Sequence, residues 1–234
     1  MATLNPRWEY QNVHDLLIAC VGLNYGERPE ENVEAIRRDR ALHGRRIRQI
    51  LELKATDRVA DIGSGCGFVA REIVPNIAHL CCVDVSSDFL EYCKTELSSF
   101  TNVSYYLVRY GDFSDITSAS LSACYSTAVF IHFNYYDFII HLKECNRILA
   151  PGGRLVFDFL NADILEYRQQ RAFFSHLSNY KAARETKIFN LVHPMSLRAL
   201  ENLTRQVGFS VSRVDFLPNS ANTTILLRKI ADAD

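Results

Sequence analysis

The sequence predicts an α/β protein built on a doubly wound, mostly parallel sheet with helices on both faces. Three observations predict it. Strand-like and helix-like patterns alternate from about residue 57 to 160, which implies parallel strands joined by right-handed crossovers. An apolar run ending in Asp61 passes directly into glycines at 63, 65 and 67 and then into a helical pattern, as in a strand, tight turn and helix start. Two late strand patterns are joined by a link too short for a crossover, so they form an antiparallel hairpin that reverses the last strand.

Each element follows in order within a single domain, 1–234. Residues 1–55 read as a helical addition: Trp8 and Tyr10, a loop from Leu23 to Pro29, then a charged helix. Val33, Ile36, Ile47, Ile50 and Leu51 give that helix a packed stripe. Arg37, Arg38, Arg40, Arg45, Arg46 and Arg48 give it a basic excess. With Glu31, Glu34 and Asp39 offsetting the charge, a solvated face is the simpler reading; an anionic substrate or acidic partner is the sharper one. The core, 56–160, carries strands at 58–62, 79–85, 103–109, 122–131 and 154–159. Helices fall at 68–74, stopped by Pro75, at 88–97 and at 136–149. In the second of these Phe89, Leu90, Cys93 and Leu97 share a face, and Ser86 or Ser87 caps its start. Residues 161–193 form an insertion that mixes Tyr167, Phe173, Phe174, Tyr180 and Phe189 with Arg168, Arg171, Lys181, Arg184 and Lys187. It reads equally as a lid with an aromatic inner face or as stem packing with outward charges. The tail, 194–234, holds a helix at 196–207 closed by Gly208, then strands at 209–216 and 223–228 around Pro218-Asn219-Ser220.

Composition narrows the class of function. At 234 residues the chain buries a full core, and its formal charge of −1 argues against nonspecific nucleic-acid binding, which needs a basic face. The seven cysteines are an odd count without metal spacing, and adjacent Cys81 and Cys82 point to opposite faces of a strand. Buried free thiols in a reducing compartment are the expectation. No basic leader with an apolar core and cleavage site opens the chain, and no run reaches membrane-spanning length. The expectation is a cytoplasmic protein with no nucleic-acid partner, no membrane and no metal; oligomeric state leaves no mark in the sequence.

The glycine turn specifies its ligand further. Asp84 ends the next apolar run, about where a doubly wound fold presents an acid to a ribose. A dinucleotide fingerprint would need glycine at 68, where this chain has Phe68, and no Gly-Lys-Ser/Thr follows to cradle phosphates. What remains is Asp61-x-Gly63-x-Gly65-x-Gly67, which resembles the first motif of the class I S-adenosylmethionine-dependent methyltransferases. That resemblance implies a Rossmann-like seven-stranded sheet and S-adenosyl-L-methionine as cofactor. It implies that Asp61, Gly63, Ser64, Gly65, Gly67 and Phe68 lie along the methionine portion, with Asp84 and Val85 at the ribose. Asp112, in Tyr-Gly-Asp-Phe, matches the acid that accepts the adenine amino group, and Phe113 would supply a backbone N–H and an apolar wall. The fourth strand, 123–132, resembles the segment lining the transfer cleft and places Thr127 there. Residues 142–159 match the helix, turn and fifth strand of the small-molecule branch. Departures are Ser122, where the family often has Asp, and the absence of an Asn/Asp-Pro-Pro-Tyr/Phe signature for exocyclic amines.

The chemistry then asked of the chain is in-line positioning and removal of a proton from the acceptor. His132, at the carboxyl edge of the fourth strand, is a candidate base or substrate contact, or else a histidine that caps the next loop. Tyr136 is a candidate substrate-facing hydroxyl, with hydrophobic packing as the alternative. Asp158 belongs on one sheet face or at the cleft mouth. The expected function is methyl transfer to oxygen or nitrogen of a small metabolite. A methylase of RNA or protein and a non-catalytic cofactor-binding module are the competing readings.

Overall fold

The computed structural model describes residues 10, 12–109, 111–164, 192–216 and 222–230. Seven strands, β1 (Arg58–Ile62), β2 (His79–Asp84), β3 (Val103–Leu107), β4 (Leu121–Ser126), β5 (Leu149–Leu160), β6 (Phe209–Phe216) and β7 (Asn222–Lys229), form one sheet. Their order is β3-β2-β1-β4-β5-β7-β6. The pairs from β3 to β5 are parallel, and β7 runs antiparallel to both β5 and β6. Strand order therefore reverses between β1 and β4, and the crevice beyond their carboxyl ends is where such sheets bind ligands. The hairpin inferred from the sequence is present, though its Pro218-Asn219-Ser220 link lies outside the described residues, as do Trp8 and residues 165–191 of the insertion.

Six helices accompany the described strands: α1 (Val13–Val21), α2 (Val33–Leu51), α3 (Ala70–Ile73), α4 (Ser87–Glu96), α5 (Tyr135–Ile148) and α6 (Leu197–Gln206). Side-chain alternation divides the core by face. Ala60, Ile62, Cys81, Cys124, Leu155 and Phe157 pack toward α5 and α6. Val59, Leu80, Cys82, Tyr125 and Val156 pack toward α2, α3 and α4. Cys81 and Cys82 thus lie on opposite faces, and all seven cysteines are free thiols. Ser86 caps α4 by accepting the Phe89 N–H at 3.2 Å, and Gly208 closes α6 at φ +86°.

Three sequence expectations need correction. The helix expected at 68–74 is the single turn α3, and Pro75 lies inside a 3-10 turn, Val74–Asn76, instead of beyond a helix end. Proline lacks the N–H that another α turn would use, but it suits the first positions of a new turn. The fourth strand does not run to residue 131: it stops at Ser126, because Ala128 is left-handed at φ +57°. Phe130–His132 is a 3-10 turn. The fifth strand is longer than expected, beginning at Leu149, and a pairing irregularity between Leu121 and Ala123 absorbs its glycines.

The arginines of α2 largely take the simpler reading. Arg37 grips Glu96 with two bonds of 2.8 and 2.7 Å; Arg45 and Arg48 face Glu72, and Arg46 faces Asp215. Glu96 is only 5 % exposed, so the Arg37 pair fixes α2 against α4; losing either partner would strand a charge. No helix among the described residues is long and apolar enough to cross a membrane.

Candidate functional site

The chain leaves β1 through three glycines that all adopt left-handed conformations, φ +75° at Gly63, +51° at Gly65 and +80° at Gly67. Side chains would not fit: a Cβ on Gly63 would lie 2.3 Å from Val129 Cγ2, and one on Gly67 would lie 2.7 Å from Cys93 Sγ. The turn is fixed from within. Gly63 and Ser64 donate their N–H groups to the Val83 carbonyl at 2.7 and 3.1 Å, and Gly67 donates to the Ser64 carbonyl at 3.0 Å. These three amides therefore do not present themselves to a ligand, contrary to the simplest expectation for a glycine loop. The Ser64 hydroxyl, in contrast, is buried without a hydrogen-bond partner. Buried hydroxyls are nearly always bonded, so this one has a hydrogen bond to offer at the turn.

Asp84 closes β2 beside that turn and is 7 % exposed. One carboxylate oxygen accepts the Gly65 N–H at 2.8 Å and the other accepts the Ser86 N–H at 3.0 Å. Burial pushes its pKa up to about 6, against the pull of the Ser86, Gly65 and Val85 amides. A carboxylate has about four lone-pair positions, so these amides leave room for a ligand hydroxyl. Asp61, on β1, accepts the Tyr125 hydroxyl at 2.8 Å. Burial raises it to about 8, with Tyr125 opposing and Asp84 adding to the rise. Tyr125, on the neighbouring strand β4, fixes this acid from a position that sequence reading did not single out.

Beyond β4 the chain turns back across the sheet. Asp158, on β5, accepts the Ala128 N–H at 2.7 Å, and that bond holds the left-handed turn which sets Val129 over Gly63. Asp158 thereby belongs at the crevice, on the α2 side with Asp61, since Val156 two residues earlier packs there. Thr127 follows the end of β4 at this turn. His132 sits in the 3-10 turn ahead of α5, six residues past the strand, with its N–H donated to the Val129 carbonyl at 2.9 Å.

The remaining expected residues are placed as follows. Val85 packs partly buried against the core. Phe68 is buried and meets Tyr92 edge-on at 5.8 Å, within a cluster that holds α1. Asp112 is exposed after β3, where the Ser114 N–H holds its carboxyl below the usual range. Phe113 differs from expectation: its ring is 1 % exposed in the core and its N–H donates to Glu144 at 3.0 Å. Glu144 is in turn held by Arg147, so this amide is committed to anchoring the loop to α5. Tyr136 is 81 % exposed on the first turn of α5 and is not packed.

Sequence reading missed α1. Its cap was visible: Asn12 accepts the Asp15 N–H at 2.9 Å, and Gly22 ends the helix at φ +67°. Leu16, Leu17 and Val21 bury against Ile36, Cys66, Phe68 and Phe89, and Cys20 Sγ lies 3.5 Å from where a Gly65 Cβ would be. The Tyr10 N–H adds a bond to Asp88 at 2.6 Å. Nine residues are too few for a stable isolated helix. Burial of three side chains, worth about 1.5–3 kcal/mol each, is what holds it on the turn. Two surface hollows, of about 410 and 650 Å³, lie along β6, away from this crevice.

Residues 60–157 match the family model described as a methyltransferase domain. Among curated proteins, the chain is 30 % identical over 127 residues to a ubiquinone/menaquinone biosynthesis C-methyltransferase, UbiE, of Geotalea daltonii, covering 53 % of this chain and 51 % of that protein. It is 27 % identical over 115 residues to demethylmenaquinone methyltransferase of Staphylococcus aureus, covering 48 % and 46 %. The chain thus spans about half the length of the curated relatives it matches. Solved structures share the fold at 15 % identity. One is the N-methyltransferase NodS of Bradyrhizobium japonicum with S-adenosyl-L-homocysteine, TM-score 0.60, covering 82 % of this chain and 86 % of that one. Another is a Haloferax volcanii complex of the Trm112 methyltransferase activator with its methyltransferase partner, TM-score 0.67, covering 95 % and 100 %. Residues 60–157 therefore form a methyltransferase domain, on a sheet whose order is that of an S-adenosylmethionine-dependent methyltransferase fold.

Proposed function

We propose that the chain transfers a methyl group from S-adenosylmethionine to oxygen or nitrogen of a small metabolite. One observation carries the cofactor reading: a buried carboxylate, Asp84, is bonded to the glycine turn at the point where strand order reverses, beside a buried hydroxyl, Ser64, with no partner. Bound S-adenosylmethionine supplies an electrophilic methyl group. The chain's own part is to bind, orient and deprotonate. Asp84 accepts a ribose hydroxyl, the Ser64 hydroxyl bonds within the methionine portion, and Asp112 stands at the purine. His132, in the 3-10 turn between β4 and α5, takes the acceptor's proton. The similarity to a ubiquinone/menaquinone biosynthesis C-methyltransferase supports a small acceptor and adds carbon to the atoms it could present. A near-neutral chain gives no electrostatic ground for a polyanionic substrate.

Thermal melting with and without S-adenosylmethionine tests the reading. At a hundred times Kd a ligand of the folded state adds about 2.7 kcal/mol, roughly 5–10 °C for a chain of this size. S-adenosylhomocysteine should act likewise, and an unmoved melting curve with both would reject the cofactor site. For His132→Ala the expectation is cofactor affinity near wild type and a transfer rate lower by about 10²-fold. Unchanged turnover would remove the histidine from the chemistry.

A further inference from the structure

Two arginines of α2, Arg38 and Arg40, have no ion-pair or hydrogen-bond partner among the described residues, and of these Arg38 is exposed while Arg40 is half-buried. Among the described residues Arg37, Arg45, Arg46 and Arg48 all have carboxylate partners, whereas Arg40 has neither an ion pair nor a hydrogen bond. It is half-buried, and its place on the helix says where it faces. Ile36, one turn earlier, packs against Cys66 and Phe68 of the glycine turn. Gly44, one turn later, is so close to α3 that a Cβ there would lie 2.7 Å from Glu72 Cβ and 3.1 Å from the Val69 carbonyl. Positions i, i+4 and i+8 share one face of a helix, so Arg40 lies on the face turned to the segment between residues 66 and 72.

The charges nearby agree. The Cys20 thiol, beside Gly65, is drawn below its ordinary range by its bond with Cys66 and, further, by Arg40. Burial raises the Asp158 carboxyl, while the Ala128 amide and Arg40 oppose the rise. Arg40 therefore lies within electrostatic reach of Cys20, beside the glycine turn, and of Asp158 on β5. Asp84 and Asp158 line this end of the sheet as acids, beside Asp61, which burial keeps largely protonated at neutral pH. They suit the sulfonium and ammonium of the cofactor, but they repel its own carboxylate.

We propose that Arg40 binds the α-carboxylate of S-adenosylmethionine, making the N-terminal addition part of the cofactor site. The inference rests on the cofactor reading above. A half-buried guanidinium matches a carboxylate with two parallel bonds, which an ammonium on a lysine stem does not reproduce.

The test compares S-adenosylmethionine with its decarboxylated form, which keeps the nucleoside, sulfonium and amine but lacks the carboxylate. Titration calorimetry on wild type, Arg40→Gln and Arg40→Lys gives six affinities, with melting temperatures to verify folding. Wild type should prefer the carboxylated ligand. Arg40→Gln should lose roughly tenfold to hundredfold for it, and Arg40→Lys should lose less. Neither change should alter affinity for the decarboxylated form. Equal weakening of both ligands overturns the proposal by making Arg40 a structural residue. Unchanged binding of S-adenosylmethionine overturns it too, and a raised acceptor KM in that case would assign the guanidinium to an acidic acceptor. If wild type binds neither ligand, the cofactor reading itself fails, before any substitution is made.

Discussion

Asp84→Ala should weaken S-adenosylmethionine binding by about 10²-fold, while unfolding the protein little at neutral pH. The binding loss follows from removing the charged acceptor of a ligand hydroxyl, a bond worth about 1.5–3 kcal/mol. Stability moves less because two effects oppose. The Gly65 and Ser86 amides lose their acceptor, yet the fold no longer has to bury a carboxylate that resists ionisation. The sign fixes a pH signature. A carboxyl raised to about 6 stabilises the fold below the ordinary carboxylate range, and that contribution fades as pH rises through about 6. Cofactor affinity should run the other way, falling as pH drops below about 6, because a protonated Asp84 is a poorer acceptor. Calorimetric titrations between pH 5 and 8 would show this slope in wild type and its absence in Asp84→Asn. An affinity that climbs on acidification would contradict the ribose assignment.

Gly63→Ala should be the most damaging single methyl in the molecule. The left-handed backbone alone costs about 1–2 kcal/mol for a residue with a Cβ. Gly152 isolates that part: it has φ +73° but nothing within 4 Å of a new Cβ, so Gly152→Ala should cost only the conformational share. At Gly63 the new atom would sit 2.3 Å from Val129 Cγ2, so the turn or the loop beyond β4 must move. Shifting the turn breaks the Gly63 amide bond to Val83 and carries Gly65 off Asp84. Urea melts should give a loss of about 3 kcal/mol or more, with cofactor affinity falling in parallel. Adding Val129→Ala should restore the steric part and leave the backbone part, so the double-mutant cycle should show favourable coupling of about 1 kcal/mol or more. Strict additivity would mean that Val129 is not what the glycine accommodates.

These two positions also show how much the sequence reveals. The glycine run and the acid after the next apolar stretch announce themselves because backbone conformation and burial constrain residue type locally. Strand faces were legible for the same reason, as Cys81 and Cys82 illustrate. The end of β4 was not. Residues 127–131 continue an apolar run, and the turn at Ala128 is imposed by Asp158, thirty residues away, with no glycine to mark it. The Phe113 amide was misassigned because its acceptor, Glu144, belongs to another element. Helix α1 escaped notice because its stability lies in contacts with residues 36 to 89 and not in its own length. Sequence marked the part of the site that the backbone makes; the part made by distant side chains became visible only in three dimensions.

The placement of β7 has a consequence for biogenesis. It follows every other described strand in the chain, yet it lies inside the sheet, between β5 and β6. While residues 222–229 are still being translated, β5 must present a bare row of amides and carbonyls, and β6 has no neighbour to dock on. The nascent chain therefore passes through a sticky, half-zipped stage that ends only when this insertion closes the seam, and a ribosome stalled just short of it would release an aggregation-prone species.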